Sequence, residues 1–163
     1  MQKKSSSNAA VSSNCPCGSG ETYISCCYVV HTNHTAAKNP EMLMRARYTA
    51  FVLANSDFLV KSWATETRPD NLEINQETRW LGLRIIDNHA VAETSKEATV
   101  SFEASFIEKD KHCILKETSN FRKISGKWYY LDGKTKLDSI KLYGKTSCPC
   151  GSGKKYKRCC AVR

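Results

Sequence analysis

The sequence predicts an α+β protein in which a mixed central domain lies between two small cysteine-rich segments. Apolar residues recur at helical spacing after residue 39, and the period changes to two after residue 78. Helices followed by an antiparallel meander are typical of the α+β class. Eight of the nine cysteines fall in two matching segments, one near each end of the chain.

The two cysteine-rich segments span residues 15–27 and 148–160, and both read C-P-C-G-S-G-x-x-Y-x-x-C-C. The proline in each Cys-x-Cys step stiffens the chain and withholds a backbone amide. The Gly-Ser-Gly sequence lets the chain reverse, because glycine reaches positive φ without steric cost. The tandem cysteines then return to close a site. Four thiolates in so short a segment are typical of a tetrahedral zinc site.

The sequence therefore predicts two zinc ions per chain, each held by four cysteine sulfurs. The predicted ligands are Cys15, Cys17, Cys26 and Cys27 for the first ion, and Cys148, Cys150, Cys159 and Cys160 for the second. Iron is the alternative metal at such sites. An adjacent Cys-Cys pair is unusual as two ligands of one ion, so His31 or His34 is an alternative ligand in the first set.

Disulfides are the alternative use of these cysteines. Residues 1–14 are polar and lack the apolar segment of a signal peptide, so we expect a cytoplasmic protein. In the cytoplasm, a cysteine-rich chain is more often metal-binding than cross-linked. No apolar run approaches the roughly 18 residues of a membrane span.

The charges that flank the cysteines differ between the two segments. Four positions within the second ligand loop are basic: Lys154, Lys155, Lys157 and Arg158. The equivalent positions of the first loop carry one acid and no base: Glu21, Thr22, Ile24 and Ser25. Nearby cations stabilise thiolates against protonation. Flanking charge alone thus predicts that the N-terminal site releases zinc first as pH falls and is oxidised first.

The central domain is predicted to begin with two helices. Asn39-Pro40-Glu41 combines a cap, a first-turn proline and a first-turn acid. Residues 55–57 interrupt the helical pattern and cap a second short helix over residues 58–63, with Trp63 in the core. The apolar face of the first helix consists of Met44, Tyr48, Phe51 and Val52.

Four strands follow, over residues 79–86, 98–108, 112–123 and 128–131, and Ser125-Gly126 forms a tight hairpin turn. If Lys123 pairs with Trp128, then Phe121 faces Tyr130 and Ser119 faces Asp132. Cys113 alternates into the third strand and is predicted to be a small buried apolar residue.

The chain carries a formal net charge of +9, concentrated at its C-terminus. Residues 134–163 contain nine basic residues and one acid, giving +8, whereas the rest of the chain carries only +1. A basic segment of this kind indicates an anionic partner, protein or RNA, or a solvated surface.

Both cysteine segments resemble the SEC-C motif, the zinc-binding tail of the bacterial preprotein-translocase ATPase. One copy at each end resembles the YchJ family of small bacterial proteins, and the middle is similar through residues 47–52 and 121–133. The resemblance implies a nuclear-transport-factor-two-like central domain, a curved antiparallel sheet that packed helices close into a cone. That family carries no established activity.

The predicted organisation combines these features. It consists of a disordered tail over 1–14, a zinc knuckle over 15–27, the cone over 39–133, a basic linker in helix or coil over 134–147, and a zinc knuckle over 148–163.

The resemblance implies a zinc-binding adaptor whose basic C-terminal knuckle contacts a protein or nucleic-acid partner, in protein export or translation. One alternative is an enzyme with a pocket in the cone, where Glu117 or Asp132 would be the general base. No second residue completes a catalytic set, however, and we predict no catalytic residues. The other alternative is that the knuckles are structural caps.

Overall fold

The computed structural model describes residues 13–88 and 92–162, so most of the tail predicted to be disordered lies outside the described residues. The helices are α1 (Cys27–Thr32), α2 (Pro40–Val52) and α3 (Ser56–Lys61). The strands are β1 (Arg79–Asn88), β2 (Glu97–Glu108), β3 (Lys111–Ile124) and β4 (Lys127–Lys141). Four short 3-10 turns lie at Tyr23–Ser25, His34–Ala36, Tyr156–Arg158 and Cys160–Val162.

The strands form one antiparallel sheet in the order β1-β2-β3-β4, which confirms the predicted α+β class. The β3–β4 hairpin turns at Ser125 and Gly126, whose φ angles are 48° and 80°. Two successive positive φ values match the right-handed twist of the flanking strands. Lys109 and Asp110 make the same kind of turn between β2 and β3, with φ angles of 47° and 56°.

Helix α2 begins where its capping residues predict. The Asn39 side chain accepts a hydrogen bond from the Met42 amide at 2.8 Å, and Pro40 occupies the first turn. Asn55 caps α3 in the same way, through the Phe58 amide at 3.1 Å. Asparagine at these positions satisfies amides that have no partner within the helix.

The main core lies between α2 and the concave face of the sheet. Helix α2 contributes Leu43, Ala46 and Ala50, all fully buried, and the sheet contributes Val100 and Phe121. Trp63 was predicted to lie in this core but is only half-buried, and its ring packs edge-on against Tyr130. Its indole N–H donates to the Leu131 carbonyl at 3.2 Å, which places Trp63 at the rim of the sheet.

Strand β4 is much longer than predicted. It was expected to end at residue 131, but it pairs with β3 as far as Lys141, opposite Lys111. Most of the segment predicted to be a helical or coiled linker is therefore sheet. An antiparallel strand can carry polar and basic side chains when one of its faces meets water.

The predicted register of the last hairpin is correct only near the turn. Lys123 faces Trp128 and Phe121 faces Tyr130, but the register then shifts so that Asn120 faces Asp132. Residue 131 is the additional residue of a β-bulge, which a period of two does not reveal. Asp132 consequently lies on the outer face, where it accepts a hydrogen bond from Asn120 at 2.5 Å, and it does not share a face with Glu117.

Glu117 lies on the concave side, across the backbone of Gly133. A Cβ atom at residue 133 would overlap the Glu117 carboxylate. Glu117 Oε1 accepts hydrogen bonds from the Ser119 hydroxyl at 2.6 Å and from the Tyr130 hydroxyl at 3.0 Å. Gly133 therefore leaves the space in which this carboxylate is held.

No helix among the described residues is long and apolar enough to span a membrane.

We expect Gly133→Ala to destabilise the protein by about 1–3 kcal/mol, because the added methyl group displaces Glu117 from two hydroxyl donors. Chemical denaturation would measure the change. Gly82→Ala, in a strand position with open space around it, is the matched control and should be close to neutral. In a Glu117→Ala background the Gly133→Ala penalty should disappear; a penalty that persists there would show that the methyl group clashes elsewhere.

Candidate metal centres

The structure brings each predicted set of four cysteines together. Within each set the sulfur atoms all lie within 4.8 Å of one another. In the first set, Cys26 Sγ lies 3.6 Å from Cys17 Sγ and 3.9 Å from Cys27 Sγ. In the second, Cys159 Sγ lies 3.5 Å from Cys150 Sγ and 4.0 Å from Cys160 Sγ.

These sulfur separations fit metal coordination better than disulfide bonding. All nine cysteines are free thiols in the structure. A tetrahedron with metal–sulfur bonds of about 2.3 Å has edges of about 3.8 Å, whereas the sulfurs of a disulfide lie about 2.05 Å apart. Each cluster can therefore hold one metal ion with four thiolate ligands.

The two loops repeat the same backbone hydrogen bonds, so the repeated sequence gives a repeated structure. The Cys15 amide donates to the Glu21 carbonyl at 2.7 Å, as Cys148 does to Lys154 at 2.8 Å. The Cys26 amide donates to Tyr23 at 3.1 Å, and its counterpart Cys159 donates to Tyr156 at 3.0 Å. The first loop turns through Gly18 and Gly20 at φ angles of 74° and 88°, a region that favours glycine.

The serine between the glycines contacts a sulfur in each loop. The Ser19 hydroxyl lies 3.3 Å from Cys26 Sγ, and the Ser152 hydroxyl lies 3.2 Å from Cys159 Sγ. Each serine oxygen also accepts a backbone amide, that of Glu21 or Lys154, at 3.3 Å. The hydroxyl proton is thus available to the sulfur, a contact that orients the ligand and that the turn pattern alone did not predict.

The tyrosine of the first motif attaches its loop to helix α2 through His31. Tyr23 Oη lies 2.9 Å from His31 Nδ1, and His31 Nε2 lies 2.8 Å from the Ala46 carbonyl oxygen. A carbonyl only accepts, so Nε2 carries the proton and Nδ1 accepts from the tyrosine. Burial lowers the pKa of His31, which favours this neutral form.

Neither histidine replaces a sulfur, so the alternative ligand sets are wrong for this structure. His31 is used between Tyr23 and Ala46. His34 Nε2 lies 2.7 Å from the Trp128 carbonyl oxygen. The tandem cysteines instead both turn inward, because the chain is kinked at Cys26, where φ is −118° and ψ is −107°.

The tyrosine of the second motif attaches its loop to the opposite end of the sheet. The Tyr156 hydroxyl donates to Asp110 Oδ1 at 2.6 Å, in the turn between β2 and β3. Ile107, Leu142 and Tyr156 form a small core with the cysteines of this loop, separate from the main core. Sequence reasoning missed Asp110, because its partner lies 46 positions away in the chain.

The first site is buried more deeply than the second. Cys17 and Cys27 are 0% and 2% exposed, and they belong to the main core. The fully buried Thr49 of α2 adds a hydroxyl that donates to Cys27 Sγ at 3.3 Å and lies 3.8 Å from Cys15 Sγ. Among the described residues, no hydroxyl from the central domain reaches the second cluster.

Hydrogen bonds to sulfur favour one thiolate in each cluster. The Cys27 thiol, with help from Ser19, lowers the pKa of Cys17 to about 4 despite burial, and the pKa of Cys27 is raised by the same bond. Hydrogen bonds from Ser152 lower the pKa of Cys150 to about 6, and burial raises that of Cys160 to about 12. Each site therefore presents an anion to an incoming cation.

The ninth cysteine stands apart from both clusters, as predicted. Cys113 is 4% exposed, and burial raises the pKa of its thiol. A protonated, buried thiol is a poor nucleophile. The described residues contain no other group of three or more histidine, cysteine or acidic side chains arranged for a metal.

Comparison with known proteins agrees with the predicted resemblance. The domain described as "YchJ, middle NTF2-like domain" matches residues 39–133, which confirms the predicted kind of central fold, and the SEC-C motif matches residues 146–161. A UPF0225 protein of Photorhabdus laumondii is 43% identical over 156 residues, which cover 90% of this chain and 97% of the relative. The UPF0225 protein YchJ of Shigella dysenteriae is 40% identical over 152 residues, which cover 90% of this chain and 96% of the relative.

A solved structure extends the similarity to the fold. The solution structure of RPA3114, a SEC-C motif containing protein from Rhodopseudomonas palustris, is 34% identical to this chain. It covers 75% of this chain and 98% of its own length, with a TM-score of 0.63.

We expect the C-terminal site to lose its metal before the N-terminal site when a metal-loaded protein is acidified or treated with a chelator. Protons compete with the metal for thiolates, so both sites empty as pH falls. Exposed flanking charges are screened and contribute little, whereas the Thr49 hydroxyl and deep burial act directly at sulfur. Native mass spectrometry of the Cys17→Ser and Cys150→Ser variants would resolve the order.

Thr49→Val tests the hydroxyl directly, because valine keeps the shape of the side chain. We expect metal affinity at the N-terminal site to fall by about tenfold, the lower end for a residue that supports a ligand. The C-terminal site of the same variant is the internal control and should be unchanged. The order of metal loss in the wild type has its own contrary outcome. If the N-terminal site lost its metal before the C-terminal site, the flanking charges would outweigh both burial and the Thr49 hydroxyl.

Proposed function

The chain belongs to the YchJ family, and we propose that it is a two-zinc protein whose C-terminal knuckle binds single-stranded RNA. One observation carries the proposal. The four basic side chains of the second loop are all exposed, while Tyr156 between them and Cys159 directly after them are buried. The loop therefore uses its cysteines and tyrosine for folding and presents four cations outward.

Zinc is the proposed metal at both sites. Sites with four cysteine ligands and no position left for water are typical of structural zinc, which has no geometric preference of its own to oppose a tetrahedron. Each loop contributes few apolar side chains apart from its cysteines and tyrosine, so the metal would supply much of the folding energy of the loop. Zinc binding at the N-terminal and C-terminal sites would fix the orientation of each loop on the central domain.

The basic surface extends from the knuckle onto strand β4. Lys134, Lys136, Lys141 and Lys145 are exposed in this part of the chain. Tyr143 is 64% exposed, and the Lys141 ammonium lies 5.6 Å from the centre of its ring. Exposed aromatic rings among cations suit single-stranded nucleic acid, because bases stack on the ring while lysines meet phosphates.

The contact between Gly144 and Lys157 joins the two parts of this surface. The Lys157 amide donates to the Gly144 carbonyl at 3.2 Å, and the Lys157 side chain packs against Gly144 closely enough that a Cβ atom there would lie 3.2 Å from Lys157 Cβ. Tyr143 and the basic loop are thus held at a fixed separation. A rigid array of cations and a ring binds a flexible strand at lower entropic cost than mobile side chains would.

The cellular setting of this binding is proposed from the resemblance of the knuckle to the translocase tail. The proposed setting is translation or protein export, where nascent chains and RNA are close together. A protein partner at the same surface, or a purely structural role for the knuckle, would appear as an absence of RNA binding in the measurements below.

Protein purified without added metal should contain two zinc ions per chain by elemental analysis. Cys17→Ser and Cys150→Ser should each contain one, because the two sites share no ligand. Iron at the same stoichiometry would change the metal but keep the sites. A metal content near zero together with oxidised thiols would overturn the proposal.

RNA affinity should fall steeply with salt, because binding releases counterions from phosphates. For single strands the log–log slope changes by about 0.7 per phosphate contacted, so Lys157→Glu with Arg158→Glu should reduce it by about 1.4. Tyr143→Ala should weaken binding without changing the slope. Fluorescence anisotropy with a labelled oligouridylate would measure both.

The first knuckle supplies the control for this experiment. Ile24 and Ser25 occupy the positions equivalent to Lys157 and Arg158, and both are exposed. Ile24→Glu with Ser25→Glu adds acids at the matching place on the other loop and should leave the slope nearly unchanged. Equal effects from the two pairs would indicate nonspecific attraction to the whole protein.

A further inference from the structure

A cavity of about 280 Å³ lies between helix α2 and the concave face of the sheet, and none of its lining residues belongs to the basic knuckle surface. Its size is near the lower end for sites that bind small molecules. Most of its lining is aromatic, from Tyr48, Phe51, Trp63, Trp80, Phe102 and Tyr130. Walls of this kind favour a flat, largely apolar occupant of one or two rings.

Arg47 brings a positive charge to this cavity without a direct ion pair. The residue is 3% exposed, and its guanidinium lies 4.5 Å from the centre of the Tyr130 ring and 5.0 Å from that of Trp63. Nη1 donates to the Leu59 carbonyl at 2.9 Å and to the Ser62 hydroxyl at 2.7 Å. Within the described residues, no carboxylate lies within ion-pair distance of it.

Two nitrogens of the Arg47 guanidinium remain available as hydrogen-bond donors. Nε and Nη2 have no hydrogen-bond partner among the described residues. Every fully buried polar side-chain atom of those residues does have one, so these two nitrogens must keep some accessible surface. Because Arg47 lines the cavity and is otherwise enclosed, that surface lies at the cavity. A buried cation with unused donors is costly unless something accepts from it.

Tyr48, the next residue of α2, is also a buried polar side chain that lines the cavity. It is 3% exposed and lines the same cavity, and within the described part of the chain its hydroxyl has no hydrogen-bond partner. The ring is held edge-on against Trp80 at 5.5 Å between centroids. Arg47 therefore offers unused hydrogen-bond donors to an occupant of the cavity, and the Tyr48 ring forms part of the cavity wall.

Glu117 supplies an acceptor on the sheet side. Its Oε1 is occupied by Ser119 and Tyr130, but Oε2 has no hydrogen-bond partner among the described residues. Tyr130 links the two sides, since its ring lies against Arg47 and its hydroxyl holds Glu117. The formal charge of the lining is zero, because Arg47 and Glu117 are its only ionised groups.

This lining favours a neutral occupant with both an acceptor and a donor. A carboxylate would be attracted by Arg47 but repelled by Glu117. A protonated amine would be attracted by Glu117 but repelled by Arg47. We propose that the cavity is a binding site for an uncharged heteroaromatic compound with a lactam edge, a ring carbonyl beside a ring N–H. The carbonyl accepts from Arg47, and the N–H donates to Glu117.

The proposed site can be tested with three bicyclic probes of similar size. 2-Quinolinone carries the lactam edge, quinoline lacks the N–H and the carbonyl, and 2-naphthoate is an anion. Trp63 and Trp80 line the cavity and the third tryptophan, Trp128, does not, so intrinsic fluorescence reports occupancy. We expect 2-quinolinone to bind at least tenfold more tightly than the other two.

Two substitutions assign binding to the cavity without disturbing Arg47, whose bonds to Leu59 and Ser62 support the fold. Glu117→Gln removes a charge-assisted hydrogen bond and should lower the affinity for 2-quinolinone by about tenfold, with little effect on the affinity for quinoline. Ala104→Leu fills the cavity from strand β2, where Ala104 is 2% exposed, and should abolish binding of all three probes. Thermal denaturation and zinc content verify that each variant is folded.

The outcomes separate the alternatives. Tighter binding of 2-naphthoate would show an anion site governed by Arg47 and overturn the lactam assignment. Equal binding of 2-quinolinone and quinoline, or no effect of Glu117→Gln, would show that the cavity selects only for apolar shape. No binding of any probe at millimolar concentration would show that the cavity is a packing defect. No RNA is used in these measurements and zinc content serves only to verify folding, so failure of the probes to bind leaves the proposed function standing.

Discussion

The packing of helix α2 against the concave face of the sheet is the contact on which the rest of the structure depends. Four consecutive residues of this helix serve different parts of the protein. The Ala46 carbonyl accepts a hydrogen bond from His31, which attaches the first loop to the helix. The Thr49 hydroxyl donates to Cys27 Sγ within the cysteine cluster. Arg47 and Tyr48 turn to the cavity. A shift of α2 would therefore disturb the N-terminal site and the cavity together.

The two cysteine loops show how one local structure acquires different properties from its surroundings. Their internal hydrogen bonds match within a few tenths of an ångström, because the repeated sequence determines them. Their contacts with the domain differ, since Tyr23 reaches His31 and Tyr156 reaches Asp110. The first loop shares the main core and the second rests on a small core of its own. Burial, and not ligand geometry, distinguishes the sites.

What the sequence could predict is largely what neighbouring residues decide. The cysteine sets follow from a spacing within thirteen residues, and the start of α2 follows from Asn39 and Pro40. The length of β4 and the bulge at residue 131 could not be read in the same way, because they depend on pairing with β3. Thr49 lies 22 positions from Cys27, and only the packing of α2 brings the two together.

The length of strand β4 has a consequence for the behaviour of the protein in solution. The strand lies at the edge of the sheet, where unpaired backbone groups are a template for another strand and hence for aggregation. Its outer part exposes Leu137 and Ile140, at 57% and 71%. Lys134, Lys136 and Lys141 lie along the same edge, and two such edges would repel each other on approach. The lysines thus disfavour self-association along this edge, an effect that is independent of any ligand.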